Sequence, residues 1–181
     1  MSRLAKEVRQ YCSDNLLRLN TDLGQHFLVD EMVLDEIVTS GDIQEDDHIV
    51  EIGPGIGVLT RELLYNAGKV TAVEIDERMI SLLKQFTGYS SILTIINNDA
   101  LKVDFPEEPY KIIANIPYHI TSPLLRHAMM ESKVRPTSMT LLIQKEVADR
   151  ICDKKSECLL SIIVKLFGEP SKVCNVPPTS F

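Results

Sequence analysis

Apolar positions along the chain fall into short continuous runs that alternate with longer stretches spaced by three and four. Over residues 2–18, Leu4, Val8, Tyr11 and Leu16 recur near one face, which predicts a helix. Asp30 then reads as the N-cap of a helix through about Thr39. Residues 48–52 form a short β-branched run and predict a first strand. A helix over 58–66, a second strand over 69–75 and a helix capped by Asp76 and running to about Phe86 follow. Residues 91–96 predict a third strand, and Ile112-Ile113-Ala114 ends a fourth. Ser122-Pro123 reads as a helix start over 122–132, with Ser122 as N-cap and Pro123 at the first helical position. A fifth strand over 138–143, a helix over 144–152, a sixth strand over 158–167 and an extended tail over 175–181 complete the reading. Strands that alternate with helices predict an α/β fold, a mostly parallel central sheet with helices on both faces.

The first predicted strand turns into its helix through Gly53-Pro54-Gly55-Ile56-Gly57. Glycines let backbone approach a ligand closely, and a helix N-terminus supplies free N–H groups. The second strand ends in Glu74-Ile75-Asp76, the spacing at which a carboxylate holds ribose hydroxyls. The glycines do not follow the dinucleotide spacing: Val58 stands where G-x-G-x-x-G needs a third glycine, and no G-K-[ST] follows. That disfavours a nicotinamide-dependent oxidoreductase. An adenosyl ligand without phosphates, S-adenosyl-L-methionine above all, is the better candidate. Asp99-Ala100, past the third strand, could meet an adenine edge or could be an ordinary turn.

Asn115-Ile116-Pro117-Tyr118 follows the fourth strand, at the end where open α/β sheets bind ligands. Asn115 offers a side-chain acceptor, and Pro117 biases Ile116 toward an extended backbone with its carbonyl left as a second acceptor. Two acceptors on one exocyclic amine, with the Tyr118 ring stacked on the base, suit methylation of a planar amine. A plain strand-to-helix turn would also use this tetrapeptide.

The 181 residues are 44% hydrophobic and 25% charged, which fits one globular domain. A net charge of −7 argues against a generic nucleic-acid binder. Cys12, Cys152, Cys158 and Cys174 form no C-x-x-C pair, which argues against a zinc site or a disulfide framework and fits a reducing, cytoplasmic setting. Neither a signal peptide nor a membrane span is expected.

In order along the chain come Gly24-Gln25-His26-Phe27-Leu28, Val50-Glu51-Ile52-Gly53-Pro54-Gly55, Val73-Glu74-Ile75-Asp76, Asp99-Ala100, Asn115-Ile116-Pro117-Tyr118, Gln144-Lys145-Glu146-Val147-Ala148-Asp149-Arg150 and Val176-Pro177-Pro178. Together they resemble the ribosomal RNA adenine N6,N6-dimethyltransferases, with a Gln-His-Phe-Leu form closer to the archaeal and eukaryotic branch. The large-subunit erythromycin-resistance methylases share much of this pattern. The resemblance implies a Rossmann-like S-adenosylmethionine-dependent methyltransferase fold. It also implies a cytoplasmic monomer acting on two neighbouring adenosines near the 3′ end of small-subunit ribosomal RNA, free or in a pre-ribosomal particle. It places His26 and Leu28 at the methionine end of the cofactor, Gly53 beneath it, Glu74 on the ribose and Asp99 on the adenine. Asn115 would bridge cofactor and target base. Ile116 and Pro117 would complete the acceptor turn, with Tyr118 and Phe181 on the two faces of the base. Residues 1–181 would then be the catalytic domain, without the family's small helical C-terminal domain. A non-catalytic RNA-binding assembly factor on the same fold is the rival reading.

Overall fold

The structure is a computed structural model and describes residues 2–17, 27–155 and 158–181. Among them run five strands, β1 (His48–Ile52), β2 (Lys69–Glu74), β3 (Leu93–Asn97), β4 (Lys111–Asn115) and β5 (Ser138–Leu142). They form one sheet in the order β3-β2-β1-β4-β5, with every neighbouring pair parallel. The helices are α1 (Arg3–Asp14), α2 (Glu31–Ser40), α3 (Val58–Asn66), α4 (Glu77–Phe86), α5 (Thr121–Arg126), α6 (Lys145–Cys152) and α7 (Leu159–Phe167).

Successive strand residues point to opposite faces, so each strand feeds two cores. On one face Ile49, Val70 and Ile113 pack with Leu4 and Val8 of α1, Leu34 and Ile37 of α2, Leu63 of α3 and Met79 of α4. On the other, Val50, Ile52, Val73, Ile112 and Ala114 pack with Phe105, Tyr110 and Leu124. A third cluster joins Leu125 of α5, Ile151 of α6 and Val164 of α7. Helices therefore cover both faces. All of β1 is buried, as expected for the central strand of a parallel sheet.

Several caps follow the sequence. The Asp30 side chain accepts from the Met32 and Val33 N–H groups, and Asp76 accepts from that of Arg78. α1 ends at Asp14, short of residue 18; Leu16 lies beyond it at φ 50° and is exposed, so it is not on the buried face. Ser122 is not an N-cap. A 3₁₀ turn over Tyr118–Ile120 runs directly into α5, which begins at Thr121 and places Ser122 inside the helix. Five residues, His127–Glu131, then close as a π turn, with the Ser132 N–H donating to the His127 carbonyl at 3.1 Å.

Residues 158–167 are a helix rather than a sixth strand. Cys158 caps it, its sulfur accepting from the Ser161 N–H at 3.4 Å while the Ser161 hydroxyl donates to the Cys158 carbonyl at 2.8 Å. Leu159, Ile162 and Leu166 are exposed while Ser161, Ile163 and Val164 are buried, a helical spacing that no strand alternation reproduces. The tail ends in a 3₁₀ turn, Pro178–Ser180, rather than staying extended. Its Ser180 carbonyl accepts from the Val29 N–H at 2.8 Å, and the Ser180 hydroxyl donates to Asp30 at 2.8 Å. The tail is thereby held against the start of α2.

Candidate active site

The strand order reverses between β1 and β4, and the crevice at such a switch point is where open sheets bind ligands. A cavity of about 960 Å³, counted to its open mouth, lies there at the carboxyl ends of the strands. Its wall comes from the 27–28 segment, the glycine turn, the start of α3, the end of β2, the turn at 98–100, and Asn115 with the 3₁₀ turn after it.

The glycine turn is built around positive backbone angles. Gly53, Gly55 and Gly57 have φ of 67°, 58° and 98°, a region that side chains with a Cβ disfavour. Space excludes a Cβ as well: one at Gly55 would meet Phe27 Cε1 at 2.7 Å, and one at Gly57 would meet Leu83 Cδ1 at 2.5 Å. Gly53 lies under Pro117, 3.3 Å from where a Cβ would stand. The turn from β1 thus packs against the turn from β4.

Glu74 is buried at the end of β2 and holds this turn. One carboxylate oxygen accepts from the Gly55 N–H at 3.0 Å and the other from the Asp76 N–H at 2.8 Å. Burial and, less, the Asp76 charge push its carboxyl above the ordinary range, while the Asp76, Gly55 and Ile75 N–H groups partly oppose the shift. A carboxylate has about four acceptor sites, so the clamp leaves capacity for a ligand hydroxyl. Asp99 also lines the cavity; it accepts from the Leu101 N–H at 3.0 Å, with Lys102 Nζ at 3.7 Å.

Asn115 closes β4 and lines the same cavity, as do Pro117, His119 and Ile120. Ile116 is buried, and its N–H donates to the Leu142 carbonyl at 3.1 Å. No turn or loop backbone donor among the described residues takes its own carbonyl. Tyr118 is 44% exposed and stands outside the cavity wall. Phe181 packs with the apolar cluster that also contains Phe27 and Leu28, beside the segment that borders the cavity. Leu28, Gly53, Glu74, Asp99, Asn115 and Pro117 thus share one cavity, with Ile116, Tyr118 and Phe181 outside its wall. His26 lies outside the described residues.

Sequence reasoning passed over Glu51 and His119. Glu51 is 2% exposed and lines the cavity floor. Its Oε2 accepts from the Thr60 hydroxyl at 2.6 Å. Burial pushes its carboxyl up to about 8, against the Thr60 hydrogen bond and with a further push from Glu74. An acid inside the apolar run Ile49-Val50-Glu51-Ile52 was the available signal, since an unpaired charge is rarely placed in a buried strand.

A family model described as ribosomal RNA adenine dimethylase matches residues 16–181. A ribosomal RNA small subunit methyltransferase A of Dehalococcoides mccartyi is 41% identical over 98% of this chain and 63% of its own length. Among solved structures, a dimethyladenosine transferase from Plasmodium falciparum superposes with a TM-score of 0.76 at 38% identity, over 86% of this chain and 58% of that one. The 23S rRNA methyltransferase ErmE superposes with a TM-score of 0.65 at 31% identity, over 72% of this chain and 52% of that one. The chain therefore spans about three fifths of the length of the first of these relatives. The fold is the Rossmann-like fold of these methyltransferases.

Proposed function

The chain belongs to the ribosomal RNA adenine dimethylase family, and on that premise we propose that it transfers methyl groups from S-adenosyl-L-methionine to adenine N6 in small-subunit ribosomal RNA. The product would be N6,N6-dimethyladenosine at two adjacent adenosines near the 3′ end. The observation that carries the reading is one cavity whose wall joins the Glu74 and Asp99 carboxylates to Asn115 and its turn.

The lining suits that cofactor. Glu51, Glu74 and Asp99 line the cavity, and among the described lining residues there is no lysine or arginine. A dinucleotide's pyrophosphate would meet acids and no cation, whereas a ligand with positive charge and no phosphate meets groups that can accept it. Glu74 would hold the ribose, Asp99 the adenine amine, and Leu28 the methionine end. When bound, the cofactor supplies an electrophilic methyl group on a sulfonium.

The chain's own residues then have to orient the target amine. The Asn115 side chain and the Ile116 carbonyl would accept its N–H groups and stabilise the charge that develops on N6. Pro117, braced by Gly53, fixes the turn so that these acceptors need no rearrangement. The exposed Tyr118 ring would stack on a base extruded from the RNA. Residues 1–181 would act as one catalytic domain. Among the described residues no helix is long and apolar enough to cross a membrane; a cytoplasmic monomer fits the proposed substrate.

The structural likeness to ErmE favours one further reading, methylation of large-subunit RNA. Methyl transfer from labelled S-adenosylmethionine to under-methylated small-subunit particles, to their naked RNA and to large-subunit RNA tests the proposal. Label in the small-subunit substrates is expected. Label confined to large-subunit RNA would move the function there, and no label would favour a non-catalytic assembly factor.

A further inference from the structure

The buried carboxyl on β1 lines the cavity and has so far been given no contact with the ligand. We infer that Glu51 is the counter-ion for the α-ammonium group of S-adenosylmethionine, and that ligand binding sends one proton from this carboxyl to solvent. The inference rests on the cofactor reading proposed above.

The Glu51 carboxyl has a single hydrogen bond among the described residues, from the Thr60 hydroxyl at 2.6 Å to Oε2. No fully buried side-chain polar atom among those residues lacks a partner, so Oε1 borders the cavity that Glu51 lines. The polar groups at the carboxyl edge follow the sheet order: Asp99 after β3, Glu74 on β2, Glu51 on β1 and Asn115 on β4. With adenine at Asp99, ribose at Glu74 and transfer at Asn115, Glu51 falls where the ligand's amino-acid portion begins. A buried carboxylate needs N–H or O–H donors. The ammonium has three and the sulfonium has none, which selects the ammonium.

Protonation follows from what faces the group. Glu74, Asp99 and His119 share the cavity with it, and α3 turns Thr60 toward it while Arg61 pairs with Glu7 of α1 at 2.6 Å. Asp76, beyond Glu74, is tied to Arg78 at 2.6 Å. No lysine or arginine among the described lining residues compensates a buried negative charge, and two facing carboxylates resist ionising together. Burial and Glu74 accordingly push the Glu51 carboxyl up to about 8. When the ammonium arrives, the carboxyl O–H bond breaks, the proton passes to buffer, and an ammonium N–H donates to the freed carboxylate.

Isothermal titration calorimetry of the chain at pH 7, in buffers of different ionisation enthalpy, counts the protons. Close to one should be released with S-adenosylmethionine and with S-adenosylhomocysteine, which keeps the ammonium, and none with 5′-methylthioadenosine, which lacks it. Affinity for the first two should rise with pH toward about 8, by at most roughly tenfold per unit, and fall again at higher pH as the ligand's own ammonium loses its proton. Glu51→Gln should bind more weakly with no proton released. Should that variant not fold, infrared difference spectra of the wild type give the same answer by loss of a protonated-carboxyl band on ligand addition. Wild-type binding without proton release, or release that persists in Glu51→Gln, overturns this inference alone. A wild type that binds no S-adenosylmethionine overturns the cofactor reading and this inference with it.

Discussion

Replacing Gly55 by alanine separates two demands that the glycine turn makes. At φ 58° an alanine enters the left-handed region, which costs about 1–2 kcal/mol. Its Cβ would also stand 2.7 Å from Phe27 Cε1 and 3.4 Å from Cδ1. Phe27 is packed against the core cluster of α1–α4, so its ring moves only by disturbing neighbours. Overpacking of this kind costs about 1–3 kcal/mol. Gly88 supplies the control. It has φ 71° and nothing within 4 Å of a Cβ, so Gly88→Ala carries the conformational cost alone. Urea unfolding should therefore show a loss of about 1–2 kcal/mol for Gly88→Ala and about 2–5 kcal/mol for Gly55→Ala. In a Phe27→Leu background the ring edge is gone, and Gly55→Ala should cost at least about 1 kcal/mol less than in the wild type. Equal losses at Gly55 and Gly88, with no coupling to Phe27, would refute the packing argument.

Three further outcomes follow from buried or exposed groups. An acid whose folded value is raised loses stability as pH climbs from its ordinary value, 4.5, toward about 8. Between pH 5 and 7 the wild type should lose on the order of 3 kcal/mol relative to Glu51→Gln, read as diverging urea midpoints; parallel midpoints would exclude a neutral Glu51. Glu74→Ala should weaken S-adenosylmethionine binding by roughly 1.5–3 kcal/mol in calorimetry and, by orphaning the Gly55 and Asp76 N–H groups, lower stability by about 1–3 kcal/mol for each. Unchanged affinity and stability together would remove both of its roles. Leu159→Lys and Ile162→Lys should each change stability by less than about 0.5 kcal/mol, because both face solvent on α7. A strand would put them on opposite faces and make one costly.

The parts of the fold legible in the sequence were those with local signals. Asp30 and Asp76 announce helix starts, and the glycines between β1 and α3 announce a turn with positive φ. The β1–α3–β2 unit is read almost residue for residue, because its strands are continuous apolar runs with a glycine turn between them. α7 was misread because Leu159-Leu160 and Ile162-Ile163-Val164 are apolar on every face, and periodicity cannot separate a buried strand from such a helix. Ser122-Pro123 misled for a different reason: the 3₁₀ turn after Pro117 starts the helix earlier than any capping side chain. At the candidate site, Glu74, Asp99 and Asn115 were reachable because each ends a strand or follows one. Glu51 was not, because its role depends on Thr60, nine residues on, and on the cavity above it.

Mass spectrometry of ribonuclease fragments and of nucleosides from small-subunit particles of a strain lacking the modification, after reaction with this chain and S-adenosylmethionine, tests the central claim most directly. The expected product is N6,N6-dimethyladenosine at two adjacent positions near the 3′ end. Asn115→Ala should lose turnover much more than cofactor affinity, since that amide acts mostly on the target amine as charge develops. A product that stays at one added methyl with enzyme and cofactor in excess, or methylation at a position other than adenine N6, would contradict that claim.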